Sequence, residues 1–260
     1  MSYHFISGLP RSGSTLLASL FCQNPAFHAS LQSPLGYSMA LLVQTMGPQN
    51  EAFRFYTDEQ RVRMIEAVFD AYYEDHLDKV VFDNNRRWCS HMALLLKVFP
   101  EMRVVCCVRP IPHIIDSTEQ LFHKFPMVVS NIYGNTPNTT VYDRVRLLMK
   151  PGGLVGYAYD ALRTAYFGPH RDRLIIMEYA DLARDPAKTM RRVHDELNMP
   201  HFEYDFAHVK QLPGAAEFDE SIGARGLHDL KPRVLYEPSN SILPPDVYTS
   251  LPEAFWQVKK

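Results

Sequence analysis

The sequence predicts a three-layer α/β fold, with a central parallel sheet flanked by helices, and three observations carry that expectation. Short apolar runs alternate along the chain with segments of helical spacing, as when strands are joined by crossover helices. The run Arg103–Val108 is wholly apolar after its first residue, which suits a parallel strand covered on both faces. The 260 residues are 46% hydrophobic and 22% charged, enough to bury a substantial core. One domain over 1–260 is expected, with 234–260 a C-terminal tail packing over it.

The elements follow in order. Tyr3–Ser7 is a short apolar run ending in Gly8, and Leu16, Leu17, Leu20 and Phe21 then keep helical spacing from Ser14 to Cys22. Thr57 and Gln60 form a capping box, after which Val62, Ile65, Phe69 and Tyr72 mark one face of a helix expected to reach Leu77. Lys79–Phe82 reads as a brief strand leading to Asp83, and 88–99 as a helix stopped by Pro100. The buried strand 103–108 ends at Arg109. Helical patterns cover 112–125, 141–150 and 154–167, and another apolar strand covers 174–177. Asp185 and Pro186 look like the cap and first residue of a helix reaching Leu197. The stretch from Val234 onward is proline-rich and aromatic with little periodicity, so it reads either as a cover over the surface or as a flap.

Bulk properties exclude several classes. A formal net charge of −2 gives no nucleic-acid-scale positive field, so no nucleic-acid partner is expected and any bound anion must be met locally. Cys22, Cys89, Cys106 and Cys107 lack metal-ligand spacing, and the adjacent pair would face opposite sides of a sheet; buried free thiols are the reading. No charged leader with an apolar core precedes the first strand, and no apolar run approaches the ~18 residues that span a bilayer, so a cytoplasmic location without a membrane span is expected.

The loop Gly8–Thr15 carries the chemistry. It reads G-L-P-R-S-G-S-T, with the glycine spacing of a phosphate-binding loop but Ser14 where G-x-x-x-x-G-K-[ST] has lysine. Backbone N–H groups of such a turn, with the positive end of the following helix, bind an anion. The cation is instead Arg11, earlier in the loop, while Ser14 and Thr15 offer hydroxyls. The result is a P-loop-like fold suited to a shorter phosphate group than a triphosphate.

"PRSGSTLL" resembles the phosphosulfate loop of sulfotransferases that use 3′-phosphoadenosine 5′-phosphosulfate (PAPS), and is more similar to the bacterial and tyrosylprotein branches than to the cytosolic one. The resemblance implies donor contacts from Pro10, Arg11, Ser12, Gly13, Ser14 and Thr15, with Arg11 and Ser14 also assisting catalysis. "CVRPIPHIIDS" resembles the segment whose arginine and serine grip the donor's 3′-phosphate, which implies that role for Arg109 and Ser117. Eight residues are slightly more than two helical turns, so Ser117 returns to the face on which the helix began. "MEYADLARDP" is similar to the segment whose tyrosine lies against adenine, here Tyr179, with alanine replacing the usual acid at 180. "GARGLHDLKPRV" resembles a late loop over the nucleotide and implies Arg225, Lys231 and Arg233 as phosphate ligands.

What the resemblance implies, then, is PAPS as donor, 3′,5′-ADP as product, no metal, and a hydroxyl-bearing acceptor, either a peptide tyrosine or a small molecule. The catalytic base is where this chain departs from the pattern of the family it resembles. Near the position of the tyrosylprotein glutamate stands Gln32, which takes no proton, and "VVFDNNRRW" replaces the cytosolic histidine and a sulfuryl-contacting lysine. Asp83 is the favoured base, with His28 and Glu119 weaker candidates, and Arg86 or Arg87 replaces the lost cation. Two rivals stay open: a kinase in which Asp83 holds Mg²⁺, and a nucleotide-binding scaffold without catalysis.

Overall fold

In the computed structural model the sheet is built around β1 (Ser2–Gly8), buried on both faces, with Tyr3 and Phe5 entering one core and Ile6 the other. The structure describes residues 2–134, 140–238 and 240–257; residue 1 and tail residues 239 and 258–260 lie outside the described residues. With β2 (Phe27–Ala29), β3 (Val80–Asn84), β4 (Val104–Val108) and β5 (Leu174–Glu178), the described strands form an all-parallel sheet in the order β2-β3-β1-β4-β5.

The helices supply the outer layers. Before β4 the chain forms α1 (Ser14–Phe21), α2 (Leu35–Thr45), α3 (Asp58–Tyr72) and α4 (Met92–Val98). Between β4 and β5 come α5 (Ile111–Lys124), α6 (Val141–Met149) and α7 (Leu154–Phe167). After β5 follow α8 (Tyr179–Arg184), α9 (Pro186–Leu197), α10 (Ala215–Ser221) and α11 (Pro245–Ser250). On one face, Leu17 and Phe21 of α1 and Val193 of α9 pack with Ile6, Phe82 and Cys107. On the other, Phe69 of α3, Leu95 of α4, Ile114 of α5 and Leu162 of α7 pack with Phe5, Val104 and Cys106. The adjacent cysteines therefore do enter opposite cores, as strand alternation demands. Cys22 departs from the expectation of buried thiols: it is exposed at the C-terminus of α1.

The strand order places a switch point at the carboxyl end of β1. The chain leaves β1 for the β2–β3 side, then crosses from β3 to β4 on the other side, so the connections diverge and open a crevice. The loops after Gly8, Asn84, Val108 and Glu178 all leave the sheet at that edge.

Local differences from the expected elements have physical causes. The capping box forms, with the Gln60 N–H donating to Thr57 Oγ1 at 3.2 Å and the Thr57 N–H to Gln60 Oε1 at 2.8 Å. The helix stops at Tyr72 rather than Leu77; Tyr73 leaves helical geometry, its hydroxyl committed to Asp83, and a 3₁₀ turn covers Glu74–His76. α2 and α10 were not expected from periodicity; most residues of α2 keep some exposure, so its apolar stripe is weak. The tail is anchored at Asp116 of α5, which accepts hydrogen bonds from Ser241 Oγ at 2.9 Å and the Ile242 N–H at 2.7 Å. Farther on, Trp256 is buried against the α7 side of the sheet.

His4 turns this packing into pH dependence. It is 5% exposed on β1, its Nδ1 accepts the Arg103 N–H at 3.1 Å, and burial followed by the Arg103 charge lowers its pKa from 6.5 to about 4. The unfolded chain therefore takes the proton first. The neutral ring's contribution is complete above the unfolded pKa and is lost as pH falls through the window from about 6.5 to about 4, by about 3 kcal/mol at most. Urea unfolding at several pH values will show stability falling across that window in the wild type and a shallower fall in His4→Gln; identical slopes would contradict this account.

Candidate functional site

The loop after β1 owes its path to Gly8. At φ 103°, a Cβ there would come within 2.3 Å of the Cys107 carbonyl oxygen, so only glycine fits, and the Leu9 N–H donates to that same oxygen at 2.8 Å. Arg11 and Gly13 also take left-handed conformations, φ 55° and 91°. Ser12 is buried and donates to the Pro10 carbonyl at 3.1 Å. Gly13 then starts α1 without any side-chain cap, leaving the first-turn N–H groups near Ser14 and Thr15 unclaimed by side chains. A positive helix end and a concave run of amides thus face the crevice.

Two guanidinium groups converge on this loop. Arg11 Nε donates to Ser117 Oγ at 3.2 Å, and its Nη1 to the carbonyl of Leu227. Arg109 Nη1 donates to the Arg11 carbonyl at 3.4 Å, and the Arg109 guanidinium stands 4.9 Å from the Tyr179 ring centroid. Burial, and next the charge of Arg109, lower the Arg11 pKa; burial also lowers that of Arg109. Both remain protonated, since guanidinium titrates far above neutrality. Neither forms an ion pair among the described residues, so an anion between them would relieve a real electrostatic cost. Tyr179 packs tightly under the loop, where a Cβ on Gly13 would lie 2.9 Å from its ring.

These groups line one cavity of about 820 Å³ at the carboxyl edge of the sheet. It brings together Pro10, Arg11, Gly13, Ser14 and Thr15 with Arg109, Ser117 and Tyr179. Lys231 and Arg233 line its rim, Lys231 also pairing with Glu237. Gln32, Arg86 and Arg87 line the opposite part. Gln32 is held there because Asn84 Nδ2 donates to the Leu31 carbonyl at 2.7 Å and Asn85 Nδ2 to the Ser33 carbonyl at 2.9 Å.

Other expected residues are placed elsewhere. Arg225 pairs with Glu220 and does not line this cavity. Glu119 is 3% exposed and paired with Arg144, whose guanidinium lies 3.8 Å from the Phe122 ring centroid. His28 stacks on His76 at 3.7 Å between centroids, and burial with the neighbouring imidazole lowers its pKa to about 4. Asp83 requires a correction. The strand runs on through Asn84, so alternation turns Asp83 away from the cavity into the core with Phe5 and Trp88. It is 0% exposed and accepts three hydrogen bonds, from Ser33 Oγ and Trp88 Nε1 at 2.8 Å each and from Tyr73 Oη at 2.6 Å. Burial raises its pKa, the three donors opposing that rise.

Sequence reasoning missed a dyad. His228 lines the cavity, and its Nδ1 lies 2.5 Å from Oδ1 of the buried Asp219, whose Oδ2 accepts the His228 N–H at 2.9 Å. A carboxylate only accepts, so the proton of that bond is on Nδ1, and Nε2 has no protein partner among the described residues. The signal lay inside "GLHDLK", but its partner stands nine positions earlier on α10, a helix the periodicity did not reveal.

A family model described as "Sulfotransferase family" matches residues 4–203. Solved structures with the same fold include the sulfotransferase domain from the curacin biosynthetic pathway, 13% identical with a TM-score of 0.51, over 77% of this chain and 75% of that one. The sulfotransferase domain of the Synechococcus PCC 7002 olefin synthase is 18% identical with a TM-score of 0.51, covering 96% of this chain and 92% of its own. A sulfotransferase from Alicyclobacillus acidocaldarius is 14% identical with a TM-score of 0.50, at 86% and 92% coverage. No curated protein matches the chain.

The Asp83 cluster yields a stability prediction. Asp83→Ala strands three buried donors and will lower the unfolding free energy by about 3 kcal/mol or more in chemical denaturation. A loss below about 1 kcal/mol would show that the cluster does not hold β3 to α3 and the 3₁₀ turn.

Proposed function

The chain belongs to the sulfotransferase family, and from that premise we propose that it moves a sulfuryl group from PAPS to a hydroxyl acceptor. The observation that carries this reading is the pair Arg11 and Arg109, two unpaired guanidinium groups flanking the loop amides at the switch point. A donor with anionic groups at both its 5′ and 3′ ends fits two cationic seats better than a single triphosphate chain does. The loop 10–15 and Arg11 would hold the phosphosulfate, Arg109 and Ser117 the 3′-phosphate, and Tyr179 the adenine. Lys231 and Arg233 are proposed to add charge from the late loop; Arg225, paired with Glu220, is the outlying member of that set. Arg86, two residues beyond β3 and in the cavity lining, is proposed to take the place of the cation expected beside the sulfuryl group. The described tail is tied to Asp116, beside Ser117, which supports reading it as part of the same single domain.

PAPS supplies an activated sulfur whose leaving group is a phosphate. The acceptor oxygen forms its bond to sulfur as the bond from sulfur to the phosphate oxygen breaks, and the acceptor's proton must go to a base. Asp83 is enclosed and Gln32 is neutral, so His228 is the group we assign: Asp219 fixes its tautomer and leaves Nε2 free to accept. Arg11, the loop amides and the Ser14 hydroxyl stabilise charge on the departing phosphate. The acceptor is a phenol or alcohol, a peptide tyrosine among the candidates. The kinase alternative loses support because the acid it needs for Mg²⁺ is sealed between Ser33, Tyr73 and Trp88.

Thermal melting should therefore rise with 3′,5′-ADP and far less with ATP; the reverse order would favour the kinase. Arg109→Ala should weaken 3′,5′-ADP binding ~10- to 100-fold by calorimetry, the worth of a charge-assisted phosphate contact, and unchanged affinity would remove that assignment. His228→Asn should lower kcat ~10²-fold or more while 3′,5′-ADP affinity stays within twofold. Near-normal turnover by that variant would clear His228 of the role of base.

A further inference from the structure

Charge in the cavity is not exhausted by the donor. Its described lining contains one carboxylate, Asp229, on the late loop next to Lys231 and Arg233. After Arg11, Arg109, Lys231, Arg233 and Arg86 have been given donor and sulfuryl roles, two cations remain, Arg87 and Lys150. Both belong to the wall beside the start of α7. The Arg87 guanidinium lies 5.8 Å from the ring centroid of Tyr157, which stands in the first turn of α7 and is fixed by a 2.8 Å hydrogen bond between its hydroxyl and Ser90 Oγ. The backbone of Lys150 leads into that same turn: its carbonyl accepts the Gly153 N–H at 2.8 Å, and Gly156 lies so close beneath it that a Cβ would come within 2.3 Å of the oxygen.

Neither Arg87 nor Lys150 forms an ion pair among the described residues. The first turn of α7 also lacks a side-chain cap, and Leu154 and Tyr157 of that turn line the cavity. In a protein whose formal net charge is −2, this wall is a local positive focus. The cavity, at about 820 Å³, is toward the upper end of the usual ~300–1,000 Å³ for one small-molecule site, which leaves space beyond the nucleotide for a compact second molecule.

From this wall we infer that the acceptor is itself an anion: a small hydroxyl compound bearing a carboxylate or phosphate group that docks between Arg87 and Lys150. The planar fork of Arg87 suits a two-oxygen anion and Lys150 adds a point charge. This inference rests on the sulfotransferase reading, in which the hydroxyl end of the same molecule faces His228.

The test uses wild-type protein saturated with 3′,5′-ADP and titrated calorimetrically with three phenols: 4-hydroxyphenylacetate, its neutral amide, and 4-hydroxyphenyl phosphate. At least one anion should bind ~10-fold or more tightly than the amide, and comparison of the two identifies whether carboxylate or phosphate is preferred. Arg87→Gln and Lys150→Gln should each reduce that preference, and the double variant should abolish it with 3′,5′-ADP affinity unchanged. Equal affinities, no binding of either anion, or a preference that survives the double substitution would overturn the inference. Failure of 3′,5′-ADP itself to bind wild type would instead refute the donor reading.

Discussion

The close approach of Gly8 to the carbonyl of Cys107 is the constraint on which the site depends. A side chain at Gly8 would drive into the backbone of β4, so the chain can leave β1 at this angle only because nothing projects from its α-carbon. The hydrogen bond from Leu9 to the same carbonyl then fixes where the loop begins. From there Arg11 reaches Ser117 of α5, Arg109 reaches the Arg11 backbone, and Tyr179 closes under Gly13. Three connections that are distant in sequence meet because the sheet places their strands side by side and the loop is aimed over them.

Strand alternation divides polar work between the two sides of this edge. Asn84 donates to the Leu31 carbonyl beside the cavity, and the preceding residue, Asp83, points into the core that holds Tyr73 and Trp88. One carboxylate, three donors and no solvent make a structural hub, whereas a proton acceptor must meet its substrate. The cavity side keeps its cations largely unpaired, and its imidazole is oriented by a carboxylate from behind. Such a separation leaves Asp229 the one carboxylate in the described lining of the cavity.

Much of the fold was legible because buried parallel strands and capped helices leave local marks: the apolar run 103–108, the Thr57–Gln60 box and the Asp185–Pro186 start all appear as read. The glycine-bounded loop between β1 and α1 was equally visible, since glycine spacing and a strand-to-helix transition are both local. Asp83 misled because its strand runs through Asn84, two positions past the apolar run, which keeps Asp83 inside the alternation and turns its side chain into the core. The Asp219–His228 dyad was hidden for another reason. It joins residues from separate elements, α10 with the late loop, and no spacing in the chain encodes that meeting.

The most direct test of the central claim is a crystal structure of the protein with 3′,5′-ADP. The account predicts the 5′-phosphate within ~2.7–3.1 Å of backbone nitrogens in the loop 10–15, and the 3′-phosphate at similar distance from Arg109 and Ser117. A nucleotide bound with its 3′-phosphate in solvent, or with the loop amides left uncontacted, would contradict it.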